Sequence, residues 1–218
     1  MKVFNLLLIC ALSPLIAFAD ANFDALRARA EKGDAKAQTY LAACYSEGNG
    51  VPKDEVKAVE WCQKAAAQRE ALAQLGLGHY YSTGKGVPKD ETKATEWYQK
   101  AAAQGNAEAQ SRLGLNYSLG LGVPKDDVKA VEWYRRAASQ GHARGQCLLG
   151  SFYSIGSGCV KNYLLAYVWS NLAAAQGDEL ARKTISTIEH GMTREQIGEA
   201  QKMSVTYADL IKQGKPIP

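Results

Sequence analysis

The side chains best suited to metal or nucleophilic chemistry in this sequence are three histidines and five cysteines. Four G-x-G segments, at 48–50, 84–86, 120–122 and 156–158, add fragments of a phosphate loop. None is placed to work. A metal centre needs ligands at spacings such as C-x-x-C or H-x-x-x-H, and His79, His142 and His190 lie far apart. A nucleophile needs a base beside it and an acid to orient that base. Cys147 stands five residues from His142, so the two do not share one helical face cleanly. A phosphate loop needs a strand before it and Lys-Ser/Thr after it, and the G-x-G segments have neither. No catalytic residue, metal or cofactor is expected, and the chain does not read as an enzyme.

Self-similarity explains the glycines better. Trp61, Trp97, Trp133 and Trp169 are spaced 36 residues apart, as are Tyr45, Tyr81, Tyr117 and Tyr153. A turn recurs in step: GNGVPKD at 48–54, GKGVPKD at 84–90, GLGVPKD at 120–126 and a decayed GSGCVKN at 156–162. Each unit reads as two helices. Helix A of the second unit runs over 71–83, with Ala73, Leu77, Gly78 and Tyr81 on one face, and stops at Gly84. Pro88 breaks the chain, Asp90 caps helix B, and Ala94, Trp97, Ala101 and Ala102 line its buried face. Asp54 and Asp126 repeat that cap, and Asn162 replaces it in the fourth unit. The tryptophans fill the space left between alanine-rich helices. Repeats are expected at 34–69, 70–105, 106–141 and 142–177. A half-unit at 20–33 precedes them, and a helix plus a capping helix at 178–218 follow. The cap should start at Thr193, present Ile197, Ala200, Met203, Tyr207 and Leu210 on one stripe, and cover Ile185 and Ile188.

The pattern A-x-A-Q-x-x-L-G-x-x-Y-x-x-G-x-G-V-x-x-D-x-x-K-A-x-x-W-Y-x-x-A-A-x-Q-G resembles the Sel1-like repeat, a relative of the tetratricopeptide repeat. In the third unit it falls on Ala109-Gln110, Leu113-Gly114, Tyr117, Gly120, Gly122-Val123, Asp126, Lys129-Ala130, Trp133-Tyr134, Ala137-Ala138 and Gln140-Gly141. The resemblance covers about residues 22–180. It implies an all-α, right-handed α-solenoid, adaptor or scaffold roles, and no shared reaction. Departures are Arg69 where other units have Gly, Gly145 in place of a packing Ala, and the missing Pro of the fourth unit, where a looser turn is expected. Cysteine-rich members of the family join helix B to the next helix A with cysteines eight apart, a spacing absent here. Cys44 and Cys62, like Cys147 and Cys159, stand about 7 Å or more out of level, which favours free thiols over an intrachain disulfide.

Comparing the repeats with one another separates packing from recognition. In helix A the positions of residues 37, 38, 41, 42, 45 and 48 barely change, whereas those of 40, 43, 44 and 47 vary and share another face. That second face holds Tyr40, His79, Tyr80, Arg112, Leu115, Asn116, Leu119, Phe152 and Ile155, a mixture of aromatic anchors and polar groups suited to a protein or peptide partner. In solenoids of this type helix A lines the concave groove, so the stripe is expected to hold a partner segment. The competing reading is that some of these residues fill gaps between adjacent helices.

Composition agrees with a folded protein: of 218 residues 46% are hydrophobic and 22% charged. A net charge of +4, spread along the chain, gives no reason to expect nucleic acid. Lys2, the apolar run Leu6-Leu7-Leu8-Ile9 and Ala17-Phe18-Ala19 read as a signal peptide over 1–19. The expectation is an exported interaction scaffold, periplasmic or secreted, without membrane insertion after cleavage. A monomer is expected, though an uncapped end would permit dimers. The alternative is a cell-wall-associated enzyme or peptidoglycan-binding protein on the same repeats.

Overall fold

The computed structural model describes residues 23–217; the expected signal peptide over 1–19 lies outside them. The described residues contain helices and no strand: α1 (23–31), α2 (Ala35–Glu47), α3 (Glu55–Ala67), α4 (Ala71–Thr83), α5 (Glu91–Ala103), α6 (Ala107–Leu119), α7 (Asp127–Ser139), α8 (Ala143–Ile155), α9 (Tyr163–Ala175), α10 (Glu179–Glu189) and α11 (Arg194–Lys212). The even-numbered helices α2 to α8 are helix A of successive repeats, and α3 to α9 are helix B. The fold is an all-α solenoid of helix hairpins. It divides into two compact units that part within α5, the first ending at Trp97 and the second beginning at Tyr98.

Sequence sets every helix boundary by the same chemistry. Asp34, Glu70, Asn106, His142 and Asp178 each accept a backbone N–H in the first turn of a helix A. Asp54, Asp90, Asp126 and Asn162 do so for helix B. Helices α2, α4, α6 and α8 each end on a left-handed glycine, and the turn is closed by one bond from the helix B cap to the tyrosine of the repeat: Asp54 N to Tyr45 O at 2.8 Å, with Asp90, Asp126 and Asn162 repeating it at 2.9 Å. The fourth turn is therefore not looser than the others, contrary to the expectation from its missing proline. Asn162 supplies the same bond, and Gly156 and Gly158 keep the positive φ of their counterparts.

The return from helix B to the next helix A takes three residues; after α3, α7 and α9 these are a glutamine, a left-handed residue and the cap of the next helix. Gly33, Gly105, Gly141 and Gly177 hold that conformation; Arg69 holds it with φ 64°, the sole non-glycine to do so among the described residues. A side chain is tolerated there because the position opens onto empty space: a Cβ at Gly105 or Gly177 would meet nothing within 4 Å. The second glycine of the G-x-G turn is different. A Cβ at Gly86 would land on the carbonyl oxygen of Glu55, and one at Gly158 on that of Asp127. The turn of one repeat thus presses on the first turn of the preceding helix B, and the glycines belong to stacking, not to phosphate binding.

Small residues let helices close on one another. Ala58, Ala94, Ala130 and Ala166 are fully buried, and a Cβ at Gly114 would lie 2.7 Å from the Tyr134 ring. Gly145, the departure from Ala, removes a methyl that would stand 2.7 Å from Ala137 Cβ. Trp61, Trp97 and Trp133 are half-buried, with Lys64 Nζ 3.9 Å from the Trp61 ring centroid and Arg136 Cζ 4.4 Å from that of Trp133. Trp169 is buried, because Tyr207 of α11 packs edge-on to it at 5.5 Å.

The cap begins as expected, with Thr193 and Gln196 forming a reciprocal capping box. Its buried stripe is Ala200, Ser204 and Tyr207, with Ile197, Met203 and Ile211 beside them; Leu210 is not part of it. Ile188 is buried in the same cluster and Ile185 packs against it. The cap also covers the outward face of α9. Glu60, Glu96 and Glu132 stand exposed in their repeats, whereas Val168 in the same position is buried; Lys64, Lys100 and Arg136 give way likewise to buried Leu172. Ile211 reaches back to the α7–α8 corner, where a Cβ at Gly141 would sit 3.1 Å from its Cγ2.

The two glycine types separate in a mutational test. Gly177→Ala carries only the left-handed strain and should cost about 1–2 kcal/mol. Gly158→Ala adds a backbone overlap and should cost about 3 kcal/mol or more in urea denaturation. Equal losses would contradict the stacking role.

Candidate partner-binding face

The varying face of helix A resolves into residues that pack and residues that reach solvent. The position shared by Cys44, Tyr80, Asn116 and Phe152 packs. Tyr80 is 8% exposed and Asn116 5% exposed, and both belong to the interior instead of the expected groove. Phe152 lies edge-on to the Tyr134 ring at 5.3 Å, half-buried against the core of the second unit. The variation has a packing reason. Tyr80 shares its cluster with Cys62, a small residue on the facing helix B, and its hydroxyl bonds Ser46. Where helix B carries the large Tyr134, that ring's own hydroxyl approaches Ser118 at 3.4 Å. The facing pairs differ in size: Tyr80 meets the small Cys62, whereas Tyr134 meets the Phe152 ring. In α9 the facing residue is Ser170, whose Oγ is buried without a hydrogen-bond partner. Burial pushes the Tyr80 and Tyr134 hydroxyls above their ordinary range.

The remaining positions divide between the two units. In the first, Tyr40 packs partly against Leu26, Leu41 and Cys44. His79 is half-buried, its ring 6.4 Å from that of Tyr80. Glu47 accepts from Asn49 at 2.9 Å, and burial raises its pKa despite that bond. In the second unit Leu115 is half-buried, while Leu119 is 60% and Ile155 69% exposed. Leu119 and Ile155 occupy the same position, the last residue of helix A, in neighbouring repeats whose helices α6 and α8 touch. They are the exposed aliphatic residues of this face.

At the opposite, N-terminal ends of α6 and α8 lies a polar cluster that spacing alone did not reveal. Arg112 Nε donates to Glu108 Oε1 at 2.7 Å, and His142 Nε2 stands 2.8 Å from Glu108 Oε2. His142 Nδ1 accepts the Gly145 N–H at 3.1 Å as the cap of α8. That bond assigns the ring proton to Nε2, which then donates to Glu108. Burial alone would raise the Glu108 pKa, but the His142 bond and the Arg112 charge outweigh it and bring it down to about 2. The signal was present in the sequence: His142 occupies the column of Asp34, Asn106 and Asp178, all helix caps. The cluster ties α6 to α8 and holds no nucleophile.

All four described cysteines are free thiols. Burial pushes Cys62 and Cys147 up to about 12, so neither is poised to react. Among the described residues no group of three His, Cys, Asp or Glu side chains is placed to hold a metal ion.

The Sel1 repeat family matches residues 35–69, 71–106, 107–142 and 143–178. The chain belongs to the Sel1 repeat family. Its repeats superpose on those of a Sel1 repeat protein from Oxalobacter formigenes, 33% identical, with a TM-score of 0.75 over 90% of this chain and 80% of that one. A protective antigen present in uropathogenic Escherichia coli strains is 35% identical, with a TM-score of 0.74 over 83% of this chain. This chain spans 40% of that antigen's length. An immunity protein from Pseudomonas aeruginosa, 22% identical with a TM-score of 0.51, covers 88% of this chain and 78% of its own, and shares the fold alone. Comparison with curated proteins gave no match. Sel1 repeat proteins are generally protein-interaction scaffolds and not enzymes.

The Glu108 cluster makes a pH prediction. A carboxyl whose folded pKa is depressed stabilises the fold above its unfolded value, and that contribution disappears as pH falls towards the folded value. Wild type should therefore lose stability between pH 4.5 and about 2, and Glu108→Gln should lack that component in thermal melts across the range. Parallel pH curves for the two proteins would refute the assignment.

Proposed function

We propose that this Sel1 repeat protein is an exported scaffold that binds a segment of a partner protein on the helix A face of its second unit. The observation that carries the reading is the exposure of Leu119 and Ile155, at 60% and 69%, on one face of consecutive repeats. Scattered exposed aliphatics are ordinary, but these two stand in register at the ends of helices that touch. Leu115 extends it along α6, and the Glu108 cluster braces the two helices that carry it.

Export rests on the sequence: Lys2, the apolar run 6–9 and Ala17-Phe18-Ala19 form a cleavable leader. The similar uropathogenic protein is described as a protective antigen, which supports a location open to the outside. No described helix is long and apolar enough to cross a membrane. The protein acts as a monomer in this reading.

Capture from the envelope fraction of the native host tests this reading. Leu119→Asp combined with Ile155→Asp should lower recovery of the partner about tenfold or more, with an unchanged melting temperature, since neither side chain supports the core. Recovery equal to wild type would overturn it.

A further inference from the structure

The edge where helix A meets its turn differs between the two units, and the difference is chemical. In every repeat a lysine packs beside the glycine that ends helix A. A Cβ at Gly48 would lie 3.5 Å from Lys53 Cβ, with 3.2 Å for Gly84 and Lys89, 3.5 Å for Gly120 and Lys125, and 3.1 Å for Gly156 and Lys161. Each lysine stem therefore lies against the glycine that directly follows the last residue of its helix A, which is Glu47, Thr83, Leu119 or Ile155.

In the first unit this edge is polar and its lysines are neutralised. Lys53 pairs with Glu55 at 3.0 Å and Lys89 with Glu91 at 2.8 Å, beside Glu47 and Thr83. In the second unit both conditions reverse. The carboxylate of Asp127 accepts from Ser157 at 2.5 Å, and its distance to Lys125 is 3.8 Å. Lys161 has no carboxylate partner among the described residues, because Asn162 and Tyr163 stand where the other repeats have two acids. Its ammonium lies over the Tyr163 ring at 4.6 Å. The preceding Val160, in the column of the prolines, is 86% exposed. Two consecutive repeats thus present an exposed aliphatic beside an incompletely neutralised cation, Leu119 with Lys125 and Ile155 with Lys161.

The geometry points to an acidic, apolar-bearing protein segment as the partner of this edge, its aliphatic side chains seated on Leu119 and Ile155 and its carboxylates on Lys125 and Lys161. The inference rests on the scaffold reading above and names the chemistry of its partner. Charge complementarity selects the occupant: a basic segment would meet two lysines of its own sign, and a neutral apolar one would leave Lys161 without a carboxylate and Lys125 with only its 3.8 Å contact to Asp127.

Fluorescence anisotropy on the mature chain tests this with three labelled synthetic peptides, one of alternating Glu and Leu, one of alternating Lys and Leu, and one of alternating Glu and Gly, together with phosphatidylglycerol vesicles. The Glu–Leu peptide should bind about tenfold or more tightly than the other two, and higher salt should weaken it. Lys161→Glu and Ile155→Asp should each weaken it about fivefold or more, whereas Lys53→Glu should have no effect. Equal binding of the Lys–Leu peptide, or of Lys161→Glu and wild type, would overturn the inference. So would binding confined to vesicles. Loss of binding in Ile155→Asp alone, with Lys161→Glu unchanged, would overturn the acidic partner while leaving the scaffold reading standing.

Discussion

A buried glutamine holds each repeat to the one before it. In helix A, Gln38, Gln74, Gln110 and Gln146 each donate to a carbonyl near the end of the preceding helix B, at Ala30, Ala66, Ala102 and Ala138. Gln38, Gln110 and Gln146 also receive a second bond from the glutamine that ends their own helix B. Gln68 reaches Gln38 at 2.8 Å, Gln140 reaches Gln110 at 2.7 Å and Gln176 reaches Gln146 at 2.8 Å. One amide therefore joins three helices. An amide buried without those partners would be strongly destabilising, so the spacing of the helices is fixed wherever the relay is complete. The small residues beside it, Ala65, Ala66, Ala137 and Ala138, allow the approach that the relay demands.

That constraint decides which residues are at liberty to vary. With the helices held at one separation, each pair of facing positions packs its own combination of side chains: Tyr80 with the small Cys62, and Tyr134 edge-on to Phe152. Variation at such a position is tied to the facing helix. Variation at the end of helix A, which faces solvent, is not answered by any partner change, and there Leu119 and Ile155 replace Glu47 and Thr83.

Much of the fold was legible because each repeat states it again. Caps at Asp54 and Asp126, the glycine stops and the helix lengths follow from local chemistry that a single sequence displays. The groove was less legible. Helical spacing placed Tyr80, Asn116 and Leu119 on one face, but it does not say how deep each sits, and burial depends on the facing helix. The turn at 156–162 misled for a related reason: its missing proline was visible, while the closing bond from Asn162 N to Tyr153 O was already implied by the cap residue. The route of α11 was written in the sequence as a break in the charge pattern, Glu132 to Val168 and Arg136 to Leu172, which has meaning once a covering helix is known.

The relay is best tested by a double-mutant cycle in the second unit. Gln110→Leu, Gln140→Ala and the double variant would be unfolded in urea and their free energies compared. If Gln140 stabilises the fold through Gln110, the two losses should fall short of additivity by about 1 kcal/mol. Strict additivity would mean that the glutamines act separately, and that something other than their shared bond sets the spacing of the repeats.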